Sequence, residues 1–330
     1  MENLETELCF PQLLNTSCRK AKHQTHSETM FAYFLLSSIT LLTICLNLLV
    51  IISISHFKKL QTPTCLFLLS LAVADLCVGF LMFFQLMLIE GCWLSGDFVC
   101  ALYQYLSLII TNVSTGTVMF ISYDRYVAIC QPLQYSSKLT PKRVQFYIYV
   151  YWIFSIICQS LKNMENLQNP GRHHACVGEC VFSGDDISAI ADLICTFLLP
   201  ISVIVVLYMR VFVVVLSQAQ AMHSHISITV KLQQSRVQTV RKSEMKAARA
   251  LGGVVVVFLL CTIPGFCLLL SGKDNLFNAS HSAVVVCLFY FNSCLNPLIY
   301  AFFYPWFRKS VKLIISLKIL QPNSCDANIL

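Results

Sequence analysis

Residues Met30–Ser55 read MFAYFLLSSITLLTICLNLLVIISIS, a stretch without one acidic or basic side chain. At a helical rise of about 1.5 Å per residue, some 20 such positions cross the roughly 30 Å hydrocarbon core of a bilayer. Six more runs of the same character follow: Thr64–Ile89, Phe98–Tyr123, Val144–Leu161, Ile187–Met209, Ala250–Gly272 and Ala283–Tyr304. Of the 330 residues, 57% are hydrophobic and 12% charged, too few polar groups to cover a soluble body of this size. The expected architecture is an all-α membrane protein in which seven spans form one bundle. Residues 1–29 form an outer tail, 30–304 the bundle and 305–330 an inner tail.

Orientation follows from Lys and Arg, which gather on the cytoplasmic side. With the N-terminus outside, the exterior segments hold Arg19, Lys20, Lys22, Lys162, Arg172 and Lys273, 6 of the 23 basic residues, and the other 17 fall inside. The tail before Met30 carries Glu2, Glu5 and Glu7 and no apolar stretch, so no cleaved signal is expected and the first span acts as anchor. The net charge of +7 comes from short loops beside the spans, where membrane topology and anionic lipid account for it without nucleic acid. After Tyr304, Trp306–Ile315 alternates apolar and basic positions at helical spacing, which fits an amphipathic helix lying in the interface. Cys325, beyond it, is a candidate for acylation.

Six cysteines fall outside: Cys9, Cys18, Cys92, Cys100, Cys176 and Cys180. An even number in an oxidising compartment is the pattern of disulfides. Cys100 opens the third span and Cys180 precedes the fifth, so a bridge between them would pin the second outer loop (about Lys162–Asp186) over the bundle. The pairing of the other four stays open. Asn15-Thr16-Ser17 and Asn278-Ala279-Ser280 are exterior glycosylation sequons.

Only two acidic or basic side chains interrupt the spans, Asp75 and Asp192, and such groups are functional candidates because burying them is expensive. Asp192 stands eight residues before Pro200, about 9 Å below the outer boundary if the helix begins near Asp186. Its neighbours Ile190, Ala191, Leu193 and Ile194 are apolar, so the carboxylate is expected to need a cation, and a ligand ammonium would supply charge and hydrogen bonds together.

One residue set, in order along the chain, names a family. Asn47, Leu71-Ala72-Val73-Ala74-Asp75, Asp124-Arg125-Tyr126, Trp152, Pro200, Pro264 and Asn296-Pro297-Leu298-Ile299-Tyr300 resemble the motifs of rhodopsin-like G-protein-coupled receptors, one set per helix. Within that class, Asn292 to Phe307 matches the Asn-Ser-x-x-Asn-Pro-x-x-Tyr-x-x-x-Tyr-x-Trp-Phe fingerprint of trace amine-associated receptors. Cys176-Val177-Gly178-Glu179-Cys180 is similar to that family too.

The resemblance implies a plasma-membrane receptor that senses small amines, mostly in olfactory neurons, and signals through a stimulatory or olfactory-type G protein to cyclic AMP. It requires no cofactor. Two departures bear on the ligand. The aspartate that most amine receptors carry seven residues after the third-helix cysteine is Ser107 here, and the usual sixth-helix Cys-Trp-x-Pro is Cys261-Thr262-Ile263-Pro264. Some receptors of the family, mostly in fishes, carry the aspartate on helix five instead, and this chain resembles that branch. Ser107, Leu108, Thr111, Phe182, Phe266, Leu269 and Tyr290 are the candidate ligand contacts around Asp192. Glu90, Glu165, Glu179, Asp185 and Asp186 near the mouth would concentrate cations.

The same likeness gives Asp75, Asn47, Ser114, Asn292 and Asn296 as a polar cluster that either binds sodium or serves as a hydrogen-bond network. It also gives Arg125 a partner in Glu244 when the inner face is closed, with Tyr208 and Tyr300 stabilising the open form. Rival readings are a receptor for a peptide or lipid, and a transporter, although the chain shows no internal repeat. An opsin needs a lysine where Tyr290 stands, and no nucleophile with its base or metal set suggests an enzyme.

Overall fold

The computed structural model describes residues 8–13, 15–19, 26–88, 92–172, 174–180, 190–224, 251–265, 267, 279–322, 324–327 and 329. It contains helices α1 (His26–His56), α2 (Pro63–Met87), α3 (Asp97–Cys130), α4 (Pro132–Lys138) and α5 (Pro141–Gln168). A π-helical turn, Leu193–Leu198, then leads into α6 (Leu199–Ser224). Next come α7 (Leu251–Gly265), α8 (Ala279–Phe303) and α9 (Pro305–Ile315). Five described spans are long and apolar enough to cross a bilayer, and Leu251–Gly265 and Cys287–Phe303 are shorter apolar helices. The small helix α4 lies in the second inner loop.

Helix starts are written locally. Thr62 caps α2 by accepting from the Cys65 amide at 3.3 Å, and Thr140 caps α5 by accepting from the Arg143 amide at 3.4 Å, each with proline as the first helical residue. Inside the bundle, Thr40, Thr43, Ser53, Thr115, Thr117 and Ser122 donate to carbonyls one turn back, so their hydroxyls are satisfied where no water serves them.

Helix α3 is central, packing against α2, α5 and α6, while α1 packs on α2 and α8. The larger core cluster sits towards the inner end and joins Val50, Ile54, Leu68, Leu71, Ile121, Ile204, Val254, Phe258 and Tyr300. A second lies towards the outer end around Met82, Trp93, Tyr103, Val113 and Tyr290. Large apolar side chains such as Phe34, Phe80, Phe154, Val206 and Phe212 point outwards instead, as lipid-facing residues do. On α9 Trp306 and Phe307 are buried, and Arg308 donates to carbonyls of the last turn of α8, those of Ala301 and Phe302, at 2.8 and 2.9 Å.

One expected boundary is corrected. Helix α5 runs on to Gln168, so Lys162 is on a helix and not in the outer loop. The apolar run stops at Leu161 because the helix leaves the membrane there, which changes its solvent but not its backbone.

The outer tail is structured by its cysteines, which pair as Cys9–Cys92, Cys18–Cys176 and Cys100–Cys180. Backbone bonds reinforce the first two: the Cys9 amide donates to Cys18 O, Cys18 to Val177 O, and Val177 to Thr16 O. The Trp93 amide donates to Gly178 O at 2.8 Å. Gly178 has φ +99° and a Cβ there would sit 3.1 Å from the Phe10 ring, so glycine suits the crossing on both counts. Asn15 is exposed on this tail, and Asn278 lies outside the described residues.

Candidate functional site

Asp192 immediately precedes the π-helical turn, a local widening common at functional sites. Thr196 Oγ1 donates to the Asp192 carbonyl at 2.6 Å, as a back-bonded residue of that turn. The carboxylate faces α5. Lys162 Nζ forms an ion pair with Asp192 Oδ1, and Gln159 Nε2 donates to the same oxygen at 3.5 Å. Asn163 Nδ2 donates to the Gln159 carbonyl and side-chain oxygens at 3.0 and 3.3 Å, which steadies that glutamine. The Asp192 side chain is 24% exposed and that of Lys162 30%. A cation partner therefore comes from within the chain, whereas the run of apolar neighbours suggested a carboxylate without one. Ile190 and Ile194, at 56% and 47% exposure, face outwards and leave the carboxylate's side of the helix to polar groups.

The other candidate contacts divide. Ser107 Oγ donates to the Tyr103 carbonyl at 2.7 Å, a bond within its own helix, and Leu108 and Thr111 are half-buried on the same helix. Tyr290 is buried, and its hydroxyl lies 3.3 Å from both Tyr103 Oη and Gln85 Oε1, while Tyr103 donates to Gln85 Oε1 at 2.8 Å. This Gln85–Tyr103–Tyr290 triad ties α2, α3 and α8 together near the outer end, and two of its members escaped the sequence reading. Phe182, Phe266, Leu269, Glu90, Asp185 and Asp186 lie outside the described residues. Of the mouth carboxylates that are described, Glu165 pairs with Arg172 at 2.7 Å and Glu179 accepts from the Ala175 amide at 2.6 Å.

Deeper, Asp75 is fully buried and accepts from Asn296 Nδ2 at 2.8 Å. Pro297 within α8 lacks an N–H, so the carbonyl of Ser293 four residues earlier loses its usual donor. Asn47 Nδ2 supplies a replacement at 3.0 Å and also donates to Thr43 O at 2.9 Å. Four buried oxygens around this point, Asp75 Oδ1, Asn47 Oδ1, Asn292 Oδ1 and Asn296 Oδ1, accept no hydrogen bond from the described residues. Buried Ser114 is on α3. A cluster short of donors and rich in acceptors is chemically suited to a cation or to water.

At the inner end, Arg125 donates from Nε and Nη2 to Asp124 Oδ2 at 2.9 and 2.6 Å, and from Nη2 to Thr64 Oγ1 at 2.7 Å. Thr64 Oγ1 in turn donates to Asp124 Oδ2 at 2.9 Å, and Tyr135 Oη donates to Asp124 Oδ1 at 2.9 Å. Burial and the neighbouring Asp124 charge push the Tyr135 hydroxyl up to about 12, so it remains a donor at physiological pH. Tyr126 is half-buried and its hydroxyl accepts from Gln131 Nε2 at 3.4 Å. The hydroxyls of Tyr208 and Tyr300 are buried and have no hydrogen-bond partner among the described residues. Glu244 lies outside the described residues.

Residues 46–300 match the profile of the 7 transmembrane receptor (rhodopsin family). Trace amine-associated receptor 13c of Danio rerio is 37% identical over 98% of this chain and 96% of its own length. Trace amine-associated receptor 7b of Mus musculus is 33% identical over 98% and 92%, and receptor 7e of Rattus norvegicus 34% over 99% and 93%. The chain belongs to the trace amine-associated receptor family.

It is thus a rhodopsin-like G-protein-coupled receptor, a multi-pass plasma-membrane protein and not an enzyme. Its class acts through an agonist and a heterotrimeric G protein. Thr64 and Tyr135 are the inner-face residues of this receptor that motif reading passed over, because neither belongs to a contiguous signature. Lys162 was visible only as one loop charge among several. Its meaning depends on α5 continuing past the apolar run, which side-chain polarity does not reveal.

Proposed function

We propose that this receptor detects small amines, that Asp192 holds the ligand ammonium, and that activation reaches a stimulatory G protein and cyclic AMP. The observation carrying the reading is a single carboxylate at the outer end of the fifth span, immediately before a π-helical turn, in a chain whose third-helix position is the neutral Ser107. Among the described residues the two donors to the Asp192 carboxylate converge on Oδ1, so its second oxygen is the natural acceptor for an ammonium. A charge-assisted hydrogen bond contributes roughly 1.5–3 kcal/mol, one to two decades of affinity, and apolar contacts must supply the remainder. The relatives' designation as trace amine-associated receptors points to the same ligand class.

Activation is a population shift, driven only by the difference in ligand affinity between the open and closed forms. In the closed form Asp124, Thr64 and Tyr135 hold Arg125, and opening frees its guanidinium for the G protein. The unpartnered oxygens around Asp75 are suited to sodium, which would neutralise the buried carboxylate, with Asn47, Ser114, Asn292 and Asn296 as its surroundings.

The deciding experiment is amine-evoked cyclic AMP in cells expressing the wild type and Asp192→Asn. Response is expected to vanish in the variant with surface expression intact. An unchanged dose–response curve, or a receptor that answers neutral analogues as well as amines, would favour the rival reading of a peptide or lipid receptor.

A further inference from the structure

We infer that Lys162 is a built-in competitor for the ligand's place and sets the amine threshold of the receptor. The inference rests on the assignment of Asp192 as ammonium acceptor. It begins from geometry: α5 continues beyond the membrane run for two more turns, and this extension brings Lys162 Nζ onto Asp192 Oδ1 beside Gln159 Nε2. Gln159 and Lys162 are three residues apart, so they share one helix face, and that face is turned to the carboxylate. Gln159 is 1% exposed and anchored by Asn163, which makes it a fixed neutral donor, whereas Lys162 ends a flexible four-carbon stem.

Two modes of amine binding are open, and Lys162 opposes both. Should the ligand take Oδ1, it must expel the lysine ammonium into water. Should it take Oδ2, two cations share one carboxylate within a few ångströms, and their repulsion subtracts from the attraction of each. Either way the charge of Lys162 lowers amine affinity, while Gln159 keeps the carboxylate oriented whether or not the lysine is present. The pair is partly exposed, so solvent screens it and the penalty is moderate. A modest handicap has a use in a sensor, since it rejects weak binders and shortens occupancy by strong ones.

The test compares wild type, Lys162→Gln, Lys162→Met, Lys162→Arg and Asp192→Asn, with n-butylamine to n-octylamine and 2-phenylethylamine as probes and surface expression measured alongside. Both neutral variants are expected to respond at roughly two- to fivefold lower amine concentration, the scale of a partly screened ion pair. Lys162→Arg should keep the wild-type threshold. A threshold that stays put or rises in the neutral variants overturns the inference, and so does their failure to reach the surface when Lys162→Arg does, since the pair is then structural. Loss of response in Asp192→Asn together with an unmoved Lys162→Gln curve sinks this inference alone. A receptor silent to every probe, or indifferent to Asp192→Asn, sinks the amine assignment with it.

Discussion

Arg125 shows how one side chain can be held by neighbours from more than one helix. Its guanidinium bonds to Asp124 and Thr64, and Asp124 is itself held by Thr64 and Tyr135, so three elements converge on one carboxylate. Among these the Tyr135 hydroxyl is the accessible lever, because it comes from the short inner helix α4 and not from the bundle. Tyr135→Phe keeps the ring and removes one hydrogen bond to a charged acceptor, which contributes about 1 kcal/mol or somewhat more to the closed form. Basal cyclic AMP per receptor at the surface is expected to rise roughly fivefold, and an unchanged basal level would show that Tyr135 does not hold the lock. At the outer end the same logic makes Asp192 legible from sequence and Lys162 not. A lone acid in an apolar run announces itself, whereas a lysine just beyond such a run looks like any loop charge until the helix is seen to continue.

Helices α1, α2 and α8 meet at a point where proline chemistry and a buried charge coincide. Pro297 deprives Ser293 O of its helical donor, Asn47 replaces it from α1, and Asn296 turns to Asp75 on α2. This meeting leaves four amide and carboxylate oxygens without donors among the described residues. If sodium occupies that cluster in the closed form, its binding is linked to agonist binding with opposite sign, as coupling between two sites requires. Replacing NaCl by KCl in a membrane preparation should therefore lower the amine concentration needed for half-maximal signalling several-fold in the wild type. The shift should be absent in Asp75→Asn. An equal shift in both would remove sodium from this site and leave a hydrogen-bond network in its place. The motif residues themselves were readable in sequence, but the direction of each amide was not.

At the scale of the whole molecule, chain that the sequence presents as a plain tail is bonded to the outer loops. Cys9 and Cys18 reach Cys92 and Cys176, so the segment before α1 is stitched to the first and second outer loops, while Cys100–Cys180 ties the second loop to α3. The Cys18–Cys176 bridge spans 158 residues, and long closures restrict the unfolded chain most in the chain-entropy account, by about 5 kcal/mol. Cys18→Ser and Cys176→Ser are each expected to lower thermal stability in detergent, and the double variant should be no worse than either single one because both remove the same bond. Additive losses would mean that the two cysteines do not pair.

By itself the sequence determined the membrane bundle, its orientation and the receptor class. Each of these depends on local hydrophobicity, on the side bearing Lys and Arg, or on motifs contiguous in the chain, and such properties survive without knowledge of contacts. The tertiary structure decided which cysteines pair, that Tyr135 and Thr64 complete the hold on Arg125, and that the cation beside Asp192 is Lys162. These are meetings between residues far apart in sequence, set by helix length and by the faces that packing turns towards one another. No local pattern of side chains encodes that.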